Sequence, residues 1–275
     1  MSRRRHGRAH SLGNATKIAL GISLMLVSAF AFVGLAYLYL TKEKVPRLDV
    51  SSLCPIDGPK GITVVLIDTS DDLPRATKDE ALIIIRNIVR QLPNYYRLDI
   101  KGLDIPGMKS RLIFSKCNPG NGAGLSEWTA SPTLAKERWK KSFEQPAITA
   151  IEGSLSDAKA NSSPIMAAIQ DIAIQEFTGA VAVNAPKELV IISDMIESTS
   201  EYSQYPGKGD LTYERFQRSK AYLKFRTDLR GANLDIRYVT RPAAKLDSVS
   251  HANFWKKWAS DNGGGSVRIV RLQGT

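Results

Sequence analysis

The run ITVVLID, residues Ile62 to Asp68, is apolar and β-branched with no polar alternation until its final aspartate. Such a run is what a strand buried on both faces of a parallel sheet requires. Behind it, TKDEALIIIRNIVRQL (77–92) places Ala81, Ile84, Ile85, Ile88 and Val89 on one helical face. Then come YYRLDIKGL (95–103) and SRLIFSKC (110–117), two candidate strands parted by Pro106 and Gly107. Farther on, KELVIISDM (187–195) is a second buried strand ending in an aspartate, and ANLDIRYVT (232–240) and SVRIVRL (266–272) are two more. Helices are expected between them. One spans 133–143 and stops before Pro146, and one runs to Phe177 with Ser163 as N-cap and Pro164 at its first position. A long one covers 213–229 and another 250–262. Strand alternating with helix from Ile62 onward predicts an α/β domain, doubly wound, with a mostly parallel sheet flanked by helices.

Upstream, Ile18 to Leu40 gives 23 positions without a charge. About 20 apolar residues cross a hydrocarbon core, so this is a candidate transmembrane helix. Arg3, Arg4, Arg5, Arg8 and Lys17 precede it with no acidic residue, which predicts a cytoplasmic N-terminus. Ala29-Phe30-Ala31 resembles a signal-peptidase site, but the apolar run continues well past it, which favours an uncleaved anchor. The expected layout is a basic cytoplasmic tail (1–17), an anchor (18–40), a Pro-containing tether (41–59) and an extracytoplasmic domain (60–275), periplasmic or extracellular, on a bacterial inner membrane. With five of the cations placed on the far side of the membrane, the formal charge of +11 leaves an excess of about 6 on the remainder, and charges of both signs alternate along its helices. That excludes nucleic acid as the expected partner. The cysteines, Cys54 and Cys117, both fall in the part assigned to an oxidising compartment and flank strand-like runs, so a disulfide between them is expected.

In a doubly wound sheet ligands bind beyond the carboxyl ends of the strands, where strand order reverses. Three polar clusters arrive there: Asp68-Thr69-Ser70-Asp71-Asp72 after the first strand, Asn161-Ser162-Ser163-Pro164 before a helix, and Asp194 after KELVIIS. Oxygen donors of this kind suit a hard cation such as Mg²⁺, with Asp68, Ser70, Asp72, Ser163 and Asp194 as candidate ligands. Each also has an ordinary use, as a helix cap or an Asx turn.

From about Ile62 to the end, the arrangement resembles the von Willebrand factor A domain. Asp68 and Ser70 match the first two positions of that family's D-x-S-x-S motif. Ser163, in SSPIMAAI, stands at its T-P-L-x-x-A-I threonine, and Asp194 matches its aspartate after a buried strand. GANLDIRYV resembles the family's fifth strand and WASDNGGG the turn before its last. The resemblance implies a divalent-cation adhesion site and a protein partner. Asp72 departs from the family by replacing a hydroxyl with a carboxylate, so three ionised aspartates would leave the site near −1 with Mg²⁺ bound and disfavour an incoming acidic group. Alternatively Asp72 points to solvent.

Enzymatic signatures are weak. Ser70 interrupts a D-x-D motif, no G-x-S-x-G elbow exists, NPGNGAG (118–124) lacks the Lys-Ser/Thr of a phosphate loop, and His251 is the sole histidine after the anchor. No small-molecule substrate is expected. The expected function is a membrane-anchored protein-binding module or scaffold of a bacterial envelope assembly. A metal-free structural subunit and a membrane-tethered metal-dependent hydrolase acting through Asp68, Asp72 and Asp194 are the alternatives.

Overall fold

The computed structural model describes residues 13–41, 45–70, 74–123, 131–154, 160–205, 211–241 and 244–272. Asp72 and Trp128 lie outside the described residues. The chain divides into two units, residues 1–46 and 47–275. The first contains helix α1 (Asn14–Thr41), within which Thr16–Tyr37 is long and apolar enough to cross a membrane and has no part buried by protein.

The second unit is built on six strands: β1 (Gly61–Ile67), β2 (Tyr96–Asp104), β3 (Lys109–Cys117), β4 (Lys187–Ser193), β5 (Asn233–Tyr238) and β6 (Val267–Arg271). They lie in the order β3-β2-β1-β4-β5-β6. All pairs are parallel except β2 with β3. This is the expected doubly wound α/β fold, consistent with a von Willebrand factor A or Rossmann-like arrangement. β1, buried at all seven positions, sits at the centre, and its neighbours β2 and β4 mark the point where strand order reverses.

Alternate residues of the central strands feed two cores. Val65 and Ile67 face α2 (Arg75–Gln91) and the segment made of α3 (Pro132–Trp139) and α4 (Gln145–Glu152). Val64 and Leu66 face α5 (Ile165–Glu176), α7 (Tyr213–Gln217), α8 (Lys220–Lys224) and α9 (Ser248–Asp261). Trp255 and Trp258 of α9 are fully buried in this second core, as expected of aromatics three apart on one helical face. The short α6 (Ala180–Asn184) completes the set and has no counterpart in the sequence reading.

Two helices differ from expectation. The helix from Pro132 does not end before Pro146. It widens into a π-helical turn, Lys140–Glu144, in which the Gln145 N–H reaches back to the Lys140 carbonyl, and continues to Glu152. Proline has no N–H for the preceding turn, and the Ser142 carbonyl instead accepts from Lys116 Nζ at 3.4 Å. The long helix expected over 213–229 is broken into α7 and α8. At the break Arg218 and Ser219 donate to carbonyls three residues back, and the Ser219 hydroxyl takes the Phe216 carbonyl at 2.6 Å, a local competition that ends the first helix.

The disulfide joins Cys54 to Cys117 as expected, with Cα atoms 4.7 Å apart. It fastens the loop before β1 to the end of β3. The loop is itself folded: Leu48 bridges Pro55, Asp49 accepts from Ser51 and Ser52, and the Cys117 N–H donates to the Ser52 carbonyl at 2.9 Å.

Candidate functional site

β1 and β4 are hydrogen-bonded neighbours, so the aspartates that follow them emerge side by side at the switch point. Asp68, only 7 % exposed, is the hub. Its Oδ1 accepts from the backbone N–H of Ser70 at 2.9 Å and from the Ser70 hydroxyl at 2.6 Å. Its Oδ2 accepts from the hydroxyls of Ser193 at 2.7 Å and Ser163 at 3.3 Å. The loops bearing these groups are tied by backbone bonds, Ala160 N–H to the Ser70 carbonyl at 2.8 Å and Asp68 N–H to the Ile192 carbonyl at 2.9 Å.

Ser163 therefore does not cap α5. Its hydroxyl turns to Asp68, its backbone pairs with Ser198, and Pro164 takes the cap position without a side-chain bond. The N–H groups that the α5 N-terminus leaves without a partner inside the helix go to Glu197, whose Oε2 accepts from Met166 at 2.8 Å. Glu197 is completely buried. Burial raises its pKa to about 8, against the lowering effect of the Met166 and Ile165 N–H groups, and the nearby Asp68 charge pushes the same way as burial. Behind it lies a chain of polar groups. The Glu197 N–H donates to Gln204 Oε1 at 2.8 Å, His251 Nε2 lies 3.1 Å from the same oxygen, and Tyr238 lies 2.9 Å from His251 Nδ1. Burial holds His251 down at about 4.

Asp194, 6 % exposed, completes the pocket. One oxygen accepts from the Ile196 N–H at 2.9 Å and the other from Arg241 Nε at 2.9 Å. Burial and then the charge of Asp68 push its pKa up, while the Ile196 N–H and Arg241 pull it back. The turn that aims it is sharp. Met195 has φ 60, and that left-handed conformation is held by its N–H on the Ser193 hydroxyl at 2.7 Å and its carbonyl on Trp255 Nε1 at 2.9 Å.

The structure thus brings Asp68, Ser70 and Ser163 into direct contact and sets Asp194 close enough to feel the Asp68 charge. Ser193, Glu197 and Arg241 belong to the same cluster and were not foreseen. A signal for Arg241 exists in the sequence, since it immediately follows ANLDIRYVT and so emerges at the same sheet edge.

The donor set fits a divalent ion poorly. The hydroxyls of Ser70 and Ser163 donate to Asp68 and keep acceptor capacity. Yet the Asp194 oxygen left over from the backbone is already paired with a guanidinium. A Mg²⁺ about 2 Å from that oxygen would stand a few ångströms from Arg241, and at an effective dielectric near 20 the repulsion amounts to several kcal/mol. Among the described residues, no group of three or more His, Cys, Asp or Glu side chains is arranged to hold a metal.

No protein-family model matches the chain, and neither does any curated protein. Similar solved structures include an aerotolerance-related membrane protein from Bacteroides fragilis, with 13% identity over 76% of this chain and 92% of that one, at a TM-score of 0.36. The PilB minor pilin of Streptococcus sanguinis is similar over 79% of this chain, with 12% identity and a TM-score of 0.37. Its D319A mutant gives 9% identity and a TM-score of 0.40. The chain spans 58% of the pilin's length.

Proposed function

We propose that this chain is a membrane-anchored protein-binding module of a bacterial envelope assembly. Its basic N-terminus is cytoplasmic, α1 crosses the membrane, and the α/β domain lies on the periplasmic or outer side. The observation that carries this reading is α1, whose apolar span Thr16–Tyr37 is unburied by protein although it is joined to a domain with complete cores of its own. An apolar helix of that length suits a hydrocarbon core, where its backbone groups are satisfied within the helix. The Cys54–Cys117 disulfide supports an oxidising compartment for the domain.

Binding rather than catalysis is favoured by the way the pocket is wired. Both oxygens of Asp68 and both of Asp194 accept hydrogen bonds from the protein itself, whereas metal-assisted hydrolysis needs an open coordination position and an activated water. The rim formed by the 68–70 and 160–163 loops is the docking edge, since it lies outside the carboxyl ends of the strands at the switch point. Asn161, exposed on that rim, reports on it.

Crosslinking in native membranes, followed by detergent purification and identification of the adduct, tests the reading. A specific membrane or envelope protein is expected with the wild type, and its yield drops at least tenfold with Asn161→Arg at unchanged thermal stability. Recovery of the wild type as a lone species, or equal yields for both proteins, defeats it.

A further inference from the structure

Asp68 and Asp194 are both nearly buried in the switch-point pocket, and the only cation bonded to either among the described residues is Arg241. Its Nε lies 2.9 Å from Asp194 Oδ2, with the arginine side chain 26% exposed and the aspartate 6%. The resemblance to the A domain implies that a divalent ion neutralises this spot, and the donor geometry disagrees. Arg241 lies in the loop that follows β5, the strand next to β4, so its guanidinium reaches Asp194 across the sheet edge from a different loop. Two like charges held this far from solvent call for a counter-charge, and a fixed arginine supplies it without any ion from solution. The pairing also uses the carboxylate oxygen that the Ile196 N–H leaves available.

We propose that Arg241 is the resident counter-ion of this pocket, standing where the resemblance would put a divalent metal, and that the domain folds and keeps its rim in shape independently of Mg²⁺ or Mn²⁺. The inference concerns the charge balance of the pocket and holds whichever protein docks on the rim.

Mn²⁺ is the probe. The full-length protein in detergent is expected to show the same unfolding midpoint in EDTA and in millimolar MnCl₂, and to bind no Mn²⁺ by electron paramagnetic resonance. Arg241→Ala, with the cation deleted, is expected to melt about 10 °C lower in EDTA, a loss typical of breaking a largely buried pair in a domain of this size. Arg241→Lys, which keeps the charge, recovers at least half of that loss. Should Arg241→Ala fail to fold, the double variant Arg241→Ala/Asp194→Asn restores the balance by removing one negative charge and is expected to fold and melt near the wild type. Stoichiometric Mn²⁺ on the wild type, or a wild-type midpoint raised by Mn²⁺, overturns the proposal. So does an Arg241→Ala protein as stable in EDTA as the wild type, or a lysine variant no better than the alanine one. If both arginine variants are unfolded, a double variant that is unfolded too overturns it.

Discussion

Glu197 is where single-residue chemistry has its largest leverage. Its carboxyl, raised to about 8 from 4.5 by burial, keeps a proton in the folded state that the unfolded chain has already released. Stability is therefore greatest below pH 4.5 on this account and falls as pH rises toward 8. His251 works in the opposite direction at lower pH. Its folded value of about 4, against 6.5, makes stability rise between those limits, and above 6.5 it is neutral in both states. Urea titrations of the full chain between pH 6.5 and 8 should show a decline of about 2 kcal/mol, and Glu197→Gln should flatten it. Ser193→Ala is expected to cost about 1–3 kcal/mol, because its hydroxyl both donates to Asp68 and receives the Met195 N–H. Equal urea midpoints for the two proteins would sink that assignment. Neither Glu197 nor Ser193 was legible in the sequence. Each acts through a contact with a loop far away in the chain, and an acidic residue in MIESTS carries no local mark of burial. Asp68 and Ser70, two apart after an unmistakable strand, were legible because the sheet alone decides where they emerge.

At the scale of elements, the strands could be read because ITVVLI and ELVIIS have no helical alternative that would hide every side chain. The helices were less legible where two local rules competed. Pro146 is a stop signal in isolation, but a π-helical turn ahead of it and Lys116 beside it let the helix pass. Residues 213–229 have enough apolar periodicity for one helix, but Ser219 offers the backbone a closer partner and divides it. The disulfide is the element-scale constraint with the clearest energy. It closes a separation of 63 residues, and in the chain-entropy picture replacing Cys54 and Cys117 by alanine should lower unfolding stability by about 4 kcal/mol. Denaturant melts with and without reductant check this. The alanine protein should be insensitive to reductant, and a wild type equally insensitive would count against the bridge's contribution.

For the whole molecule, the proposed orientation makes a direct prediction. Protease added outside intact spheroplasts should degrade the domain, while a tag placed before residue 13 survives until the membrane is permeabilised. The reverse pattern would place the domain in the cytoplasm and remove the reason for its disulfide. The layout also bears on mechanical load. The folded unit begins at Arg47 and its first regular element is β1, the central strand, gripped on both sides by β2 and β4. A pull transmitted along the anchor meets Cys54 before it reaches Gly61, and the bridge diverts it into the outer strand β3 through Cys117. If the proposed anchor and a docked partner pull against each other, the load would be shared by a covalent link and an edge strand, and the middle of the sheet would be spared from being drawn out first.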